Sequence, residues 1–393
     1  MGHTNERNSN VERIRVIACI FVIWNHVQSV SIVDAGNFRV DQALIYSVME
    51  VHVPLFLIIT GFFLFRKVDK NGYEGLMNEY LIKIIHFIGK IFIPALIVIA
   101  FSAIFYQFIV NGDTIADVFR KREFHWEFLK DFVFKQEPGH ICVHFWYVWT
   151  YAQIIVFFPL LAGICQNSFD RVKTRRFFEL ISLLNILFVD AQNFIGKNLG
   201  DFDGYALNRN ILFVLLGFEI YSIVKEHTAN IKKLRHYGLL MIFTGIACKI
   251  LLQYLHYKMF NQIYSPMAIT IPISVGAFLV LYALKESKHS QIWNWLGQYT
   301  LYIYMVHVAV IYVCNRAWYQ HIWLICGEGK NIVSLLFFDV IYGFVVFGIS
   351  LFVAIIFKVI YEEVIEKPII KLVDRVRKVA DEKNRIVGNT SSE

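Results

Sequence analysis

The chain has 393 residues, of which 57% are hydrophobic and 18% are charged, and its mean hydropathy is +0.51. Soluble globular proteins are about 45–50% apolar and about 25% charged, so this composition excludes an ordinary soluble protein and indicates an integral membrane protein. The net charge of +7 does not require a nucleic-acid partner, because basic loops beside anionic lipid headgroups account for most of it.

Ten hydrophobic runs are long enough to cross a bilayer, which takes about 20 apolar residues each. They occupy residues 14–33, 44–65, 88–110, 145–165, 177–195, 208–224, 236–256, 267–284, 296–314 and 332–357. The run at 177–195 is the weakest, since it is short and contains Asn185 and Asp190. We therefore predict an all-α polytopic membrane protein with about ten transmembrane helices.

The distribution of basic residues predicts the orientation of these helices. Ten spans put both termini on one side, and that side then holds 26 of the Lys and Arg residues against 11 on the other. The positive-inside rule therefore predicts that both termini are cytoplasmic. In this arrangement residues 1–370 form the membrane domain and residues 371–393 form a basic cytoplasmic tail that lies on the membrane.

The first run contains two ionisable residues, Arg15 and His26. Such groups are costly at membrane depth and indicate function. Eleven residues are close to three helical turns, so both side chains leave one face about 16 Å apart along the axis. The pair places a cation near the cytoplasmic surface and an imidazole deep in the bilayer.

Three further polar residues are predicted at the depth of His26. Counting 1.5 Å per residue from each predicted surface puts Glu50, His52 and His307 in the same slab of the outer leaflet. Such a set suits abstraction of a proton from a hydroxyl by one imidazole, with a carboxylate or a second imidazole orienting it. For any single histidine of this set, an interhelical hydrogen bond is an equally good explanation.

A second cluster of polar residues is predicted at the cytoplasmic ends of the first and third spans, where Arg15, Lys83, His86 and Lys90 lie. A guanidinium beside other cations suits a polyanion, particularly one with phosphates. The alternative is that these side chains extend to lipid headgroups, and for the lysines this alternative is favoured.

The cysteines and histidines do not have the spacing of a metal site, so no metal is expected. Cys142 and Cys326 both fall on the predicted outer side. A disulfide between them is compatible with this topology, but spacing does not establish it.

Several segments in order along the chain resemble the acyltransferase family 3 membrane proteins, which modify cell-surface glycans with acyl groups. They are the Arg15 and His26 pair and residues 53–64, 90–94, 144–149, 296–307 and 366–368. Thr60 stands where that family more often has Ser, and the Arg-x-x-Arg pair before its third helix is missing. Some members of that family also carry an extra extracytoplasmic SGNH-type hydrolase domain, and none is expected in this chain.

The resemblance implies a bacterial inner-membrane enzyme that transfers an acetyl group from cytoplasmic acetyl-CoA to a glycan hydroxyl outside. The expected catalytic residues are His26, Glu50 and His307; acetyl-CoA is expected at Arg15, Lys83 and Lys90, and the acceptor at His52, Trp146 and Tyr304. His26 acts as general base, or carries the acyl group as acyl-histidine. The acceptor is a surface or lipid-linked saccharide, reached directly or through a separate acetyl-accepting protein.

Two other classes of protein are compatible with these features. A transporter or exporter of an oligosaccharide or acyl group would also have many helices around a polar pocket, although the chain lacks the internal repeats that are common in transporters. A structural subunit of a glycan synthase would contain the histidines without using them.

Overall fold

The computed structural model describes residues 8–27, 33–34, 37–78, 80–109, 143–164, 169–196, 210–226, 230–262, 264–285, 290–326 and 332–368. The predicted all-α fold is confirmed in these ranges. Apart from helices they contain one antiparallel ribbon, β1 (Val33–Asp34) with β2 (Asn37–Phe38), in which Val33 faces Phe38. Residues 111–142, including Cys142 of the candidate disulfide, and residues 371–393 of the predicted tail lie outside the described residues.

Helices account for nearly all of the described chain. Those of the first half are α1 (Ser9–Val27), α2 (Val40–Met49), α3 (His52–Asn78), α4 (Tyr80–Phe87), α5 (Ile93–Ile109), α6 (Trp146–Ile164) and α7 (Phe169–Ile195). Those of the second half are α8 (Asn210–Glu226), α9 (Ile231–Phe260), α10 (Met267–Tyr282), α11 (Ser290–Gly297), α12 (Thr300–Ala317), α13 (Tyr319–Ile325) and α14 (Ile332–Tyr361). Short π-helices at Ile88–Phe92 and Glu362–Glu366 join α4 to α5 and extend α14, and a 3₁₀ turn at Val143–Phe145 precedes α6.

Each of the ten predicted runs overlaps a helix. Seven helical stretches of the described chain are long and apolar enough to cross a membrane, namely Val40–Lys67, Ile82–Ser102, Trp146–Ile164, Val172–Ile195, Ile231–Phe260, Thr300–Ala317 and Val333–Glu366. The other three runs correspond to α1, which carries Glu12, Arg13 and Arg15, and to the shorter helices α8 and α10. The count of ten and the cytoplasmic termini stay predictions. Large apolar side chains on the outside, such as Phe243 and Phe352, suit contact with lipid.

Helix α1 lies at the centre of the molecule. Its first half, including Ile14 and Ala18, packs into one hydrophobic cluster with α3, α6, α8 and α10. Its second half, including Val22 and Ile23, packs into another cluster with α5, α12 and α14. Helix α1 therefore contacts both halves of the protein interior, which is where costly ionisable groups are tolerated in a membrane.

The stretch from α2 to α3 is broken beside Glu50. Pro54 has no N–H, so the Glu50 carbonyl lacks the helical hydrogen bond that residue 54 would otherwise donate. The Glu50 amide still closes α2 on the Tyr46 carbonyl at 2.9 Å, and the Leu55 amide opens α3 on the Val51 carbonyl at 2.9 Å. Glu50 lies in this break, and its side chain lines a cavity.

Candidate active site

Arg15 and His26 lie on one unbroken helix, as the sequence predicts. Both are in α1, and eleven residues at 1.5 Å each separate them by about 16 Å along its axis. The His26 side chain is exposed, although α1 is central to the fold. An exposed imidazole on a central helix is accessible to a bound molecule.

Three imidazoles from three separate elements meet at the end of α1. The ring centroid of His26 lies 5.2 Å from that of His307 on α12 and 6.5 Å from that of His144 in the turn before α6. The centroids of His144 and His307 are 4.8 Å apart. We call these residues the histidine cluster. Depth matching predicts the place of His307 in it, whereas His144 belongs to a segment that resembles the family and was not predicted at the site.

The two buried rings of the histidine cluster are held in defined tautomers. His307 is fully buried, and its Nδ1 donates to the Tyr304 carbonyl at 2.6 Å, so its Nε2 keeps the lone pair when the ring is neutral. His144 is buried and its Nε2 points to the Met305 carbonyl at 3.4 Å. Among the described residues, His307 Nε2 and His144 Nδ1 have no hydrogen-bond partner. Both nitrogens can therefore accept a hydrogen bond from a neighbouring N–H or O–H group.

Tyr304 connects the two halves of the histidine cluster. Its hydroxyl donates to the His144 carbonyl, while its own carbonyl accepts from His307. Its ring centroid lies 5.4 Å from that of His144 and 5.8 Å from that of Tyr147. Tyr304 thereby fixes the position of α12 against the turn before α6, and it also lines a cavity.

A cavity of about 410 Å³ is lined by Arg15 and Val22 of α1 and by Tyr304, which contacts the histidine cluster, and we call it the Arg15 cavity. Arg15 and Lys67 supply its cations, and the side chains of Thr60 and Tyr151 supply hydroxyls. Most of its remaining lining is apolar. This lining suits an extended molecule with an anionic head near the arginine and a less polar arm reaching towards His26.

Arg15 is held in place by Glu12. The guanidinium Nη1 donates to both carboxylate oxygens of Glu12 at 2.9 Å, and its carbon lies 5.7 Å from the centroid of the Phe63 ring. Glu12 is itself buried against Gly297, where an added Cβ would lie 2.0 Å from Glu12 Oε2. The arginine side chain remains 26% exposed, so part of the guanidinium is open to the cavity.

The other two basic residues predicted at the donor site lie outside the described lining of the Arg15 cavity. The Lys83 ammonium lies 4.1 Å from the centroid of the Phe158 ring, and Lys90 forms an ion pair with Glu366 at 3.0 Å. Lys67, which the sequence reasoning overlooked, lines the cavity instead. The signal for Lys67 was present, since it closes the second apolar run on the predicted cytoplasmic side.

A second and larger cavity has a volume of about 700 Å³, and we call it the Glu50 cavity. Glu50, His52 and Trp146 line it together with Asp190 from α7. His52 Nδ1 donates to the Met49 carbonyl at 2.6 Å, which orients its ring. Val53 lines both cavities, so they approach each other within one turn of His52.

Glu50 pairs with Lys249 in the structure and has no hydrogen bond to His26 among the described residues. Lys249 is fully buried in α9, where its ammonium contacts the Glu50 carboxylate and donates to Thr270 Oγ1 at 2.9 Å. The Ser265 hydroxyl also donates to Glu50, at 2.7 Å and 2.8 Å to its two oxygens. Glu50 and His26 were predicted at the same depth, but among the described residues Glu50 pairs with Lys249 and not with His26, so a common depth does not place two residues in one site.

No group of three or more His, Cys, Asp or Glu side chains in the described part of the chain is arranged to hold a metal ion. The three imidazoles instead form a stack of tilted and edge-to-face rings. The expectation that no metal is bound stays a prediction.

The family model described as an acyltransferase domain, the acyltransferase 3 domain, matches residues 8–359. This range contains the histidine cluster and the described lining of both cavities. No curated protein and no solved structure matches the chain.

Proposed function

The chain belongs to the acyltransferase 3 family, and from this premise we propose that it transfers an acetyl group from acetyl-CoA to a hydroxyl of a glycan on the opposite side of the membrane. A membrane acyltransferase is the activity that the family match supports. The donor, the acceptor and the location in a bacterial inner membrane are proposals. The observation that carries them is the histidine cluster, whose neighbouring residues line two cavities of different character. Tyr304, which contacts His144 and His307, lines the Arg15 cavity, and Trp146, two residues after His144, lines the Glu50 cavity.

The Arg15 cavity suits an acyl-CoA. Arg15 and Lys67 would bind the anionic nucleotide and phosphate groups, since a guanidinium fork matches phosphate oxygens. The pantetheine arm would follow the apolar lining past Tyr147 towards Tyr304. About three turns of α1 separate Arg15 from His26, which is comparable to the length of that arm.

His26 would act as general base on the acceptor hydroxyl. The hydroxyl proton passes to the imidazole, the oxygen bonds to the thioester carbon, and the carbon–sulfur bond breaks. The leaving thiolate then takes the proton from the imidazolium, so no proton is gained or lost overall. His307, the nearer of the two buried rings, would orient His26 by accepting a hydrogen bond at its Nε2, in the role that the sequence assigned to Glu50 or His307. Transfer of the acyl group to His26 itself is the competing route.

The proposal is tested first at Arg15. Arg15→Ala is expected to raise the KM for acetyl-CoA by about 10–100-fold, because a hydrogen bond to a charged group contributes about 1.5–3 kcal/mol. Arg15→Lys should restore this only in part, since lysine lacks the bidentate fork. The measurement is CoA release by purified protein supplied with acetyl-CoA and glycan extracted from the source membrane.

Lys232→Ala is the matched control, because Lys232 is an exposed basic residue near the start of α9. An unchanged KM for acetyl-CoA in both Arg15 variants would indicate instead that Arg15 extends to lipid headgroups and does not bind the donor. Stoichiometric binding of acetyl-CoA or glycan without any turnover would favour a transporter or a structural subunit instead.

A further inference from the structure

The Glu50 cavity has an unusual balance of charge. Among its described lining residues, Glu50 and Asp190 are the acidic ones, and none is a lysine or an arginine. The nearest cation is Lys249, which is fully buried and paired with Glu50. The Arg15 cavity differs in this respect, since its described charged residues are both basic.

Both carboxylates of the Glu50 cavity already have partners. Glu50 accepts from Lys249 and Ser265. Asp190 accepts the backbone N–H groups of Met267 and Ala268 at 2.9 Å and 2.7 Å, so it caps the positive end of α10. The ammonium and the helix N-terminus that could attract an anion are therefore both occupied by groups of the protein.

Apart from His52, whose Nδ1 donates to the Met49 carbonyl, the rest of the described polar lining has no ionisable group. It consists of amide and hydroxyl side chains, including Gln153, Asn193, Asn210 and Thr150. Two tryptophans, Trp146 and Trp149, add flat apolar faces, and Trp146 is 40% exposed. Amides and hydroxyls bind hydroxyl groups as donors and as acceptors, and indole faces cover the C–H faces of sugar rings.

We propose that the Glu50 cavity accepts an uncharged saccharide unit and discriminates against uronate and phosphorylated sugars. This inference rests on the proposed function and adds the charge class of the acceptor to it. An anionic sugar would lose its hydration on entry and would find two carboxylates and no available cation among the described lining residues. The two cavities would thereby sort their ligands by charge, with the polyanionic donor on one side and the neutral acceptor on the other.

The test compares three acceptors that differ in one group. Mass spectrometry of surface glycans from cells with and without the gene first identifies the acylated unit. The repeat oligosaccharide is then used as such, as the uronate oxidised at a primary alcohol that does not receive the acyl group, and as the uronamide made from that uronate. We expect kcat/KM to fall at least tenfold for the uronate and to stay within threefold for the uronamide, which has the same shape without the charge.

A protein variant gives an independent readout. Asn193 is exposed at the end of α7 and lines the cavity, so Asn193→Lys introduces a cation there. This variant should reduce the ratio of kcat/KM for the uronamide to kcat/KM for the uronate at least threefold. The Asn193→Gln variant should leave that ratio unchanged. Equal use of the uronate by the unaltered protein, or a native acylated unit that carries a carboxylate or phosphate, would overturn the inference while leaving acyl transfer intact. Surface acylation that is unchanged without the gene would instead overturn the proposed function, and the inference with it.

Discussion

Replacing His26 with alanine is expected to lower kcat for acyl transfer by about 10²–10⁴-fold, the usual contribution of a positioned general base. The imidazole is the exposed member of the histidine cluster, and the centroid of its ring lies 5.2 Å from that of the buried His307. The KM for acetyl-CoA should change little, because Arg15 and Lys67 lie at the far end of their cavity. The measurement is CoA release and acceptor labelling by purified protein in lipid nanodiscs.

His236→Ala is the control, since His236 is an exposed histidine in the first turns of α9, away from the described lining of both cavities. Both variants should be present in the membrane at the level of the unaltered protein. Transfer at the normal rate by the His26 variant would contradict the role assigned to this residue.

The second large effect is expected for Lys249→Met, on stability. Lys249 is fully buried, and its removal leaves the Glu50 carboxylate without its cation. Breaking a buried ion pair by removing one partner costs about 3–5 kcal/mol. The Glu50 side chain keeps 25% exposure at its cavity, so we expect the lower end of that range. The melting temperature of the purified protein in detergent should fall clearly.

Two further variants separate this explanation from a general effect of the substitution. Lys258→Met makes the same change at an exposed position of the same helix and should leave the melting temperature nearly unchanged. Adding Glu50→Gln to Lys249→Met removes the unpaired charge and should recover part of the lost stability. A double variant that is less stable than Lys249→Met alone would show that the lysine does not act through Glu50.

The helical period and the depth of polar residues explain why the sequence predicted part of the site. Two residues eleven positions apart in an apolar run must share a helix face, so the relation of Arg15 to His26 follows from the chain itself. Depth along a helix also follows from counting residues, and this count placed His307 at the depth of His26, whose ring it approaches in the structure. The rotation of each helix about its axis does not follow from counting. Nor does the break between α2 and α3, where Glu50 lies and its side chain meets Lys249 and the larger cavity.

Other parts of the site could not be predicted, because they depend on where separate segments meet. His144 lies in a short turn before α6, and a count of depth applies only to residues inside a span. Its place beside His307 depends on the Tyr304 hydroxyl, which joins α12 to that turn. The pairing of Lys249 with Glu50 likewise requires α9 and α2 to be neighbours, which the hydrophobic pattern does not specify.

The central claim is that donor and acceptor reach His26 from opposite sides of the membrane, and a sided transfer assay tests it most directly. The protein is reconstituted into sealed liposomes with the glycan acceptor trapped inside, and labelled acetyl-CoA is added outside. We predict labelled acceptor inside the intact liposomes, and none when the liposomes contain the His26→Ala variant. Labelling that occurs only when acetyl-CoA and acceptor share the same compartment would contradict the account.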